Sequence, residues 1–286
     1  MNNYNTRISP SPTGKAHIGF VRTAYLNYLA ARSTGGKFIL RIDDTDELRS
    51  QDIYTQDLIA TLNWLGLDAD MLFYQSSRYD RYTKVAQGLI DSNKAIIKDG
   101  AVYLNPDFTI KSWTDSIAGN IIIADDKFNA IKNLVLLRSD GTPTYHFASV
   151  VDDIDFDIDW IIRGTDHLDN TSKHVYIYDA MNAPLPKFSH VGLIFYQNKK
   201  ISKRDGVANM DSYNDIHPSA ILNSVLKMGW SHSDPNIDKT HPLIDKDLAI
   251  QIFNQGHLRS QKATLDLDRL KWLDKKYKSK YKATAL

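Results

Sequence analysis

Between Thr6 and Ile42 the chain changes periodicity twice within one short stretch, and few folds accommodate that. Thr6-Arg7-Ile8-Ser9 is a strand candidate that runs into Pro10-Ser11-Pro12-Thr13-Gly14, where the prolines forbid helix and the glycine permits a tight turn. From about His17 the apolar positions Val21, Ala24, Tyr25, Tyr28 and Leu29 repeat at helical spacing, until Gly35-Gly36 supply residues that tolerate positive φ. Lys37-Phe38-Ile39-Leu40-Arg41-Ile42 then reads as a largely apolar strand of the kind buried on both faces. Strand, helix, strand at this length predicts a βαβ unit, and with it an α/β fold built on a parallel sheet.

The remaining pattern extends that reading. Leu58, Leu62 and Leu65 before Gly66 predict a second helix, and Tyr82, Val85, Leu89 and Ile90 mark a third from about Arg78 to Ser92. Between about Lys94 and Asn133 the pattern loosens into short strand-like pieces, Ala101-Val102-Tyr103-Leu104 and Asn120-Ile121-Ile122-Ile123-Ala124 among them, which suggests a small inserted module. Leu134-Val135-Leu136-Leu137-Arg138, Trp160-Ile161-Ile162-Arg163-Gly164 and a helix through Val175, Tyr178 and Met181 read as a second βα half. After Gly206 the chain becomes helical, with Pro218 at a helix start and Gly229 at its stop, a second helix through Leu248, Ile252 and Phe253, and a third from Leu265 to Tyr281.

Composition narrows the function classes. At 286 residues, 42% hydrophobic and 24% charged, the chain is large enough for an enzyme with one large core or two to three smaller ones. No segment approaches the roughly 18 to 20 uninterrupted apolar residues of a membrane-spanning helix, and the start lacks the apolar stretch of a signal peptide, so a cytoplasmic protein is expected. With no cysteine, and with nine histidines that show no close metal-ligand spacing, structural zinc is not expected, nor any metal held by protein side chains. A net charge of +1 restricts polyanion contacts to local patches. Lys199, Lys200, Lys203 and Arg204 form one patch. Lys275, Lys276, Lys278, Lys280 and Lys282, interleaved with Tyr277 and Tyr281, form another, either a solvated helix end or a nucleic-acid contact.

Two of these segments carry phosphate chemistry. The turn from Ser9 to Gly19 places Gly14, His17 and Gly19 where a strand hands over to a helix, whose free N–H groups and positive dipole end suit an anion. Gly19 would let a ligand approach the backbone closely, and His17 could donate to phosphate oxygens. Far downstream, Lys199-Lys200-Ile201-Ser202-Lys203-Arg204-Asp205-Gly206 is a basic loop able to close on a triphosphate and neutralise the charge of departing pyrophosphate. Taken singly, each has an ordinary structural explanation, a capping histidine or a solvated basic loop.

Together they resemble the HIGH and KMSKS signatures of class I aminoacyl-tRNA synthetases, and the surrounding wording is similar to the glutamyl-tRNA synthetase branch. Ser-Pro-Ser-Pro-Thr-Gly, Arg41-Ile42-Asp43-Asp44-Thr45-Asp46, the block from Ser139 to Phe147, Val150-Val151-Asp152-Asp153 and Ile162-Arg163-Gly164-Thr165-Asp166-His167 follow in the family's order. The resemblance implies a Rossmann-like catalytic domain split into 1–76 and 134–205, a shortened acceptor-binding-type insertion over 77–133, and a C-terminal helical domain over 206–286 that contacts the tRNA stem. It implies ATP with Mg2+, held by Gly14, His17, Gly19, Lys200, Ser202, Lys203 and Asp166, with His17, Lys200 and Lys203 catalytic. L-glutamate would be held by Arg7, Tyr145 and Arg163 at its side chain and by Ser9 and Asp43 at its α-ammonium. Those types suit the task, since a dicarboxylic amino acid needs arginine forks at one end and a carboxylate at its ammonium.

The sequence also departs from the family. Phe20 is apolar at the fourth position of the first signature, Asp43 is one methylene shorter than the family's usual glutamate, and the insertion is short and lacks cysteines. After Trp272-Leu273-Asp274-Lys275-Lys276 the chain stops where family members continue into anticodon-reading domains. The expectation is therefore a truncated, monomeric enzyme that activates glutamate and passes it to the tRNA acceptor end, with room for a partner that supplies anticodon recognition. Transfer to a modified tRNA base, as in glutamyl-Q synthetases, or to a non-tRNA acceptor stays open, as does a non-catalytic nucleotide- or RNA-binding paralogue. The presence of both phosphate loops argues against the last.

Overall fold

The computed structural model describes residues 3–46, 48–107, 109–201, 206–232 and 243–284. In chain order it forms β1 (Thr6–Ile8), α1 (Ile18–Arg32), β2 (Phe38–Ile42), α2 (Asp52–Trp64), β3 (Met71–Tyr74) and α3 (Tyr79–Asp91). There follow β4 (Ala95–Lys98), β5 (Ala101–Leu104), β6 (Ser112–Asp115), β7 (Gly119–Ile122), α4 (Asp125–Lys132) and β8 (Val135–Leu137). The second half runs α5 (Tyr145–Asp155), β9 (Trp160–Gly164), α6 (Leu168–Ala180), β10 (Lys187–Val191), β11 (Ile194–Tyr196) and β12 (Lys199–Lys200). Last come α7 (Pro218–Lys227), β13 (Trp230–His232), α8 (Lys246–Ile252), β14 (Gly256–Leu258), β15 (Ala263–Thr264) and α9 (Leu267–Thr284).

A seven-stranded sheet in the order β3-β2-β1-β9-β10-β6-β7 organises these elements. Its pairs are parallel from β3 through to β6, and only the β6–β7 hairpin is antiparallel. This is the doubly wound arrangement expected from the opening βαβ unit, and the strand order reverses between β1 and β9. The stretch read as one inserted module is divided in space: β6 and β7 extend the main sheet beyond β10, whereas β4 and β5 make a separate small sheet. Strand β8, read as part of the second βα half, pairs antiparallel with β5 in that small sheet.

Side-chain alternation along the strands sorts residues between two cores. Phe38, Leu40 and Ile42 of β2, and Trp160 and Ile162 of β9, face a core shared with α1, α2 and the C-terminal helices. Ile39 and Ile161 face the opposite core, which contains α3, α5 and α6. Helix α1 has twelve of fifteen residues buried because the sheet covers one side and α7 and α8 the other. Asn27 fastens it to both halves of the sheet, accepting from Thr6 Oγ1 at its carbonyl (2.7 Å) and donating to the Ile162 carbonyl (2.9 Å). The helix therefore arrives at the strand-order reversal with its N-terminus fixed.

Candidate active site

A cleft of about 460 Å³ opens at the carboxyl ends of β1 and β9, where a doubly wound sheet leaves its crevice. Arg7, Ser9, Gly14, His17, Gly19, Tyr145, Arg163, Asp166 and Lys200 all line it. Ser202 and Lys203 lie outside the described residues. Asp43 is buried and does not line the cleft; its carboxylate accepts from Arg41 Nε at 2.6 Å and Nη2 at 3.2 Å.

The first signature is held by its own backbone. Pro10 and Pro12 carbonyls accept from the amides of Asp43 and Gln51, both at 3.0 Å, which pins the turn against the end of β2 and the start of α2. His17 is the N-cap of α1, and its Nδ1 accepts the Phe20 N–H at 3.2 Å. That network assigns the imidazole proton to Nε2, making this nitrogen a donor. A Cβ on Gly19 would stand 3.0 Å from His17 Nδ1 and 3.1 Å from Cε1, so the glycine keeps room for the ring beside the helix start.

The second signature reaches the first through chain contacts. Lys199 and Lys200 form β12, turned back on β11 by Gln197 and Asn198, whose positive φ values of 48° and 64° fit a two-residue hairpin. Beyond the loop, Asn209 bridges His17, the Met210 amide donates to the Ala16 carbonyl at 3.1 Å, and Lys15 pairs with Asp211. Lys200 Nζ stands 3.5 Å from Asp166 Oδ2, both groups about half exposed. An exposed pair of that length contributes little, so Lys200 is easily released toward a stronger anion.

Arg7, Arg41 and Arg163 fall on one face of the sheet, because they alternate with residues that enter the opposite core, and of the three Arg7 and Arg163 line the cleft. Asp153 of α5 accepts from Arg7 Nε at 3.0 Å and Nη2 at 3.1 Å, and from Arg41 Nη1 at 2.9 Å. Its neighbour Asp152 accepts from Gln75, Arg78 and Tyr82, while Asp155 pairs with Arg78 and Arg81. Despite burial, Arg7 and Arg41 hold the Asp153 carboxyl below the usual range, whereas burial raises Asp43 to about 6 against the pull of Arg41. The two directions agree with the geometry, since Asp153 has two guanidinium partners and Asp43 shares one.

Arg163 stands apart. It is almost wholly buried, yet its partners are neutral: His190 Nε2 at 3.2 Å from Nε, Thr171 Oγ1 at 2.7 Å from Nη2 and Tyr145 Oη at 3.5 Å from Nη1. Among the described residues no carboxylate lies within 4.0 Å of it. Burial lowers its pKa, as expected for a desolvated cation without a close counter-charge. Arg22, one turn along α1 from Gly19, also lines the cleft; burial lowers it to about 10, and its Nε has no hydrogen-bond partner among the described residues.

Sequence reasoning missed Thr171 and His190, which hydrogen-bond Arg163, and it missed Arg22. Asp152, Asp153 and Arg41 stood within recognised blocks but carried no assigned role. Of the missed residues, only Arg22 offered a signal, as a charged residue one helical turn beyond Gly19 in a helix that is apolar at Phe20, Val21, Ala24 and Tyr25.

Comparison with known proteins bears on the same geometry. The family model described as tRNA synthetases class I (E and Q), catalytic domain, matches residues 3–100 and 104–272. The chain is 37% identical to a glutamate–tRNA ligase of Francisella tularensis, over 95% of this chain and 65% of that relative. It is 46% identical to glutamate–tRNA ligase 2 of Neorickettsia sennetsu, over 84% of this chain and 59% of that one. The chain thus spans just under two thirds of the length of these curated relatives. Among solved structures, a glutamate tRNA ligase of Elizabethkingia meningosepticum in complex with its amino acid superposes with a TM-score of 0.84 at 25% identity, covering 96% of this chain and 70% of that one.

Proposed function

Since this chain belongs to the class I tRNA synthetases of the E and Q type, we propose that it activates L-glutamate with ATP and passes the glutamyl group to the acceptor end of a tRNA. The observation that carries the choice of amino acid is Arg163, a buried cation that opens on the cleft and whose partners among the described residues are all neutral. A site that leaves one guanidinium uncompensated selects an anionic side chain over its neutral amide. Arg7, fixed by Asp153 through Nε and Nη2, stands beside it in the same cleft.

In this reading the glutamate side chain lies toward Arg163, Tyr145 and Arg7, and its α-ammonium toward Ser9. Asp43 supports that end through the hydrogen bond its backbone N–H donates to the Pro10 carbonyl, while its carboxylate is held by Arg41. The α-carboxylate attacks the α-phosphorus of ATP, forming the carbonyl–oxygen–phosphorus linkage of the adenylate and releasing pyrophosphate. His17 Nε2–H and the α1 N-terminus face the phosphates with Gly14 and Gly19, Lys200 leaves Asp166 for the departing charge, and Ser202 and Lys203 are assigned to the same phosphates from the signature alone. Mg2+ carried on the triphosphate would add to that charge neutralisation. Such a transfer needs alignment and charge neutralisation more than a protein base, and a tRNA hydroxyl then takes the acyl group and frees AMP.

Pyrophosphate exchange with L-glutamate, run with and without total tRNA, tests the activation step. Exchange dependent on glutamate is expected, followed by labelled glutamate on tRNA; no exchange under either condition would sink the proposal.

A further inference from the structure

Resting on the reading of Arg163 as the reader of the glutamate side chain, we propose that Asp115 and His190 are positioning residues, with Asp115 fixing His190 so that its Nε2 holds Arg163 as an uncompensated cation. The three side chains come from neighbouring strands: Asp115 ends β6, His190 lies in β10 and Arg163 in β9. All three are buried.

Hydrogen bonds decide the state of each group. Asp115 Oδ1 accepts from the amides of Ile117 at 2.9 Å and Ala118 at 2.8 Å. Its Oδ2 accepts the His190 amide at 3.1 Å and faces His190 Nδ1 at 2.7 Å. A carboxylate whose oxygens meet four nitrogens is acceptor only, so the imidazole proton sits on Nδ1. The other ring nitrogen then presents its lone pair to Arg163 Nε–H at 3.2 Å and to the Thr171 hydroxyl at 3.0 Å. A doubly protonated ring would set donor against donor at Arg163, so the geometry admits the neutral form. The other possible cation acceptor, a carboxylate in direct contact, would pair Arg163 and cancel the charge the substrate needs. An imidazole between the two holds the guanidinium and keeps Asp115 one ring away. This is the second-layer logic by which metal-bound histidines are oriented, applied to an arginine.

The test is calorimetric titration of the full chain with L-glutamate and, separately, with ATP, for the parent and for His190→Asn, His190→Gln and Asp115→Asn. Asparagine keeps a polar atom near the Nδ1 position and loses the one that meets Arg163; glutamine does the reverse. His190→Asn should weaken glutamate roughly 10- to 100-fold, the loss of one hydrogen bond to a charged group, while His190→Gln stays within about threefold. ATP affinity should not move in either. In Asp115→Asn the NH2 meets either the Ile117 and Ala118 N–H groups or the His190 N–H, and in the second case the ring proton moves to Nε2, against Arg163, so glutamate affinity should fall there too while ATP affinity holds. Equal glutamate affinity in His190→Asn and His190→Gln overturns the relay. If His190→Asn no longer binds ATP, Asp115→Asn decides, and parent-like glutamate affinity in that variant is fatal. A parent chain that binds no glutamate overturns the reading of Arg163 itself, an outcome separate from these.

Discussion

Arg163 and Arg7 carry the same charge on the same face of the sheet, in adjacent strands, yet one is compensated and the other is not. Arg7 shares Asp153 with Arg41, and removing it leaves a buried carboxylate with a single guanidinium. Arg163 sits among His190, Thr171 and Tyr145, and removing its charge relieves a desolvation cost. Opposite responses to the same substitution follow. Arg7→Gln should destabilise the fold by about 3 kcal/mol, the scale of breaking a buried pair from one side. Arg163→Gln should leave the unfolding free energy unchanged or slightly higher, because glutamine can still donate toward His190 or Thr171. The same Arg163→Gln variant should lose glutamate affinity by roughly 10- to 100-fold. Urea unfolding set beside calorimetric titration separates the two effects; an Arg163→Gln protein as unstable as Arg7→Gln would refute the contrast. Stability given up at a buried charge in exchange for recognition is common at binding sites.

At the scale of elements, local periodicity was legible and pairing was not. The opening βαβ unit could be read because strand, proline-rich turn and helix each carry their signal in adjacent residues, and α7 because Pro218 and Gly229 bracket it. That Ser112–Asp115 would join the main sheet could not be read. Its link to β10 runs through Phe188 opposite Asp115, a pairing set by long-range packing such as Trp113 against Phe188. The site divides the same way. His17, Gly19, Arg7 and Arg163, which line the cleft, were legible because they stand in motifs, whereas Asp115 and His190 meet Arg163 only through neighbours brought by sheet order. Asp43 shows the limit of motif matching, since its place in a block says nothing of how Arg41 claims its carboxylate. The α1 N-terminus offers a prediction at this scale. Gly19→Ala favours the helix by propensity, up to about 1 kcal/mol, but sets a methyl 3.0 Å from the ring nitrogen that caps it. Stability should change little while the imidazole is displaced, so ATP affinity should fall roughly tenfold and glutamate affinity much less. Parent-like ATP affinity measured by titration would remove His17 and Gly19 from the phosphate site.

For the whole molecule, the core under the cleft concentrates histidines that cannot readily charge. His146 stands 3.2 Å from His174, and Tyr145 packs beside His146, His167 and His174. Burial, then nearby cations, pushes His146 and His167 down to about 4 and lowers His174 and His190 as well. Because these folded values lie below the ordinary 6.5, the unfolded chain binds more protons between pH 6.5 and 4. Stability is therefore present above 6.5 and is lost as pH falls through that window. Asp43, raised to about 6, works the other way, since the folded protein takes up its proton first and recovers part of the loss. Asp153 and Asp115 are held low by their partners and fail only at more acid pH. With His146 and His167 set against Asp43, the net loss between pH 7.5 and 5.5 is about 2 kcal/mol, and His174 adds to it. Urea unfolding at the two pH values should show this fall. His146→Asn, which keeps a polar atom near His174 Nε2 but cannot titrate, should flatten it by about 1 kcal/mol. An unchanged pH slope in that variant would mean that the acid sensitivity lies elsewhere in the fold.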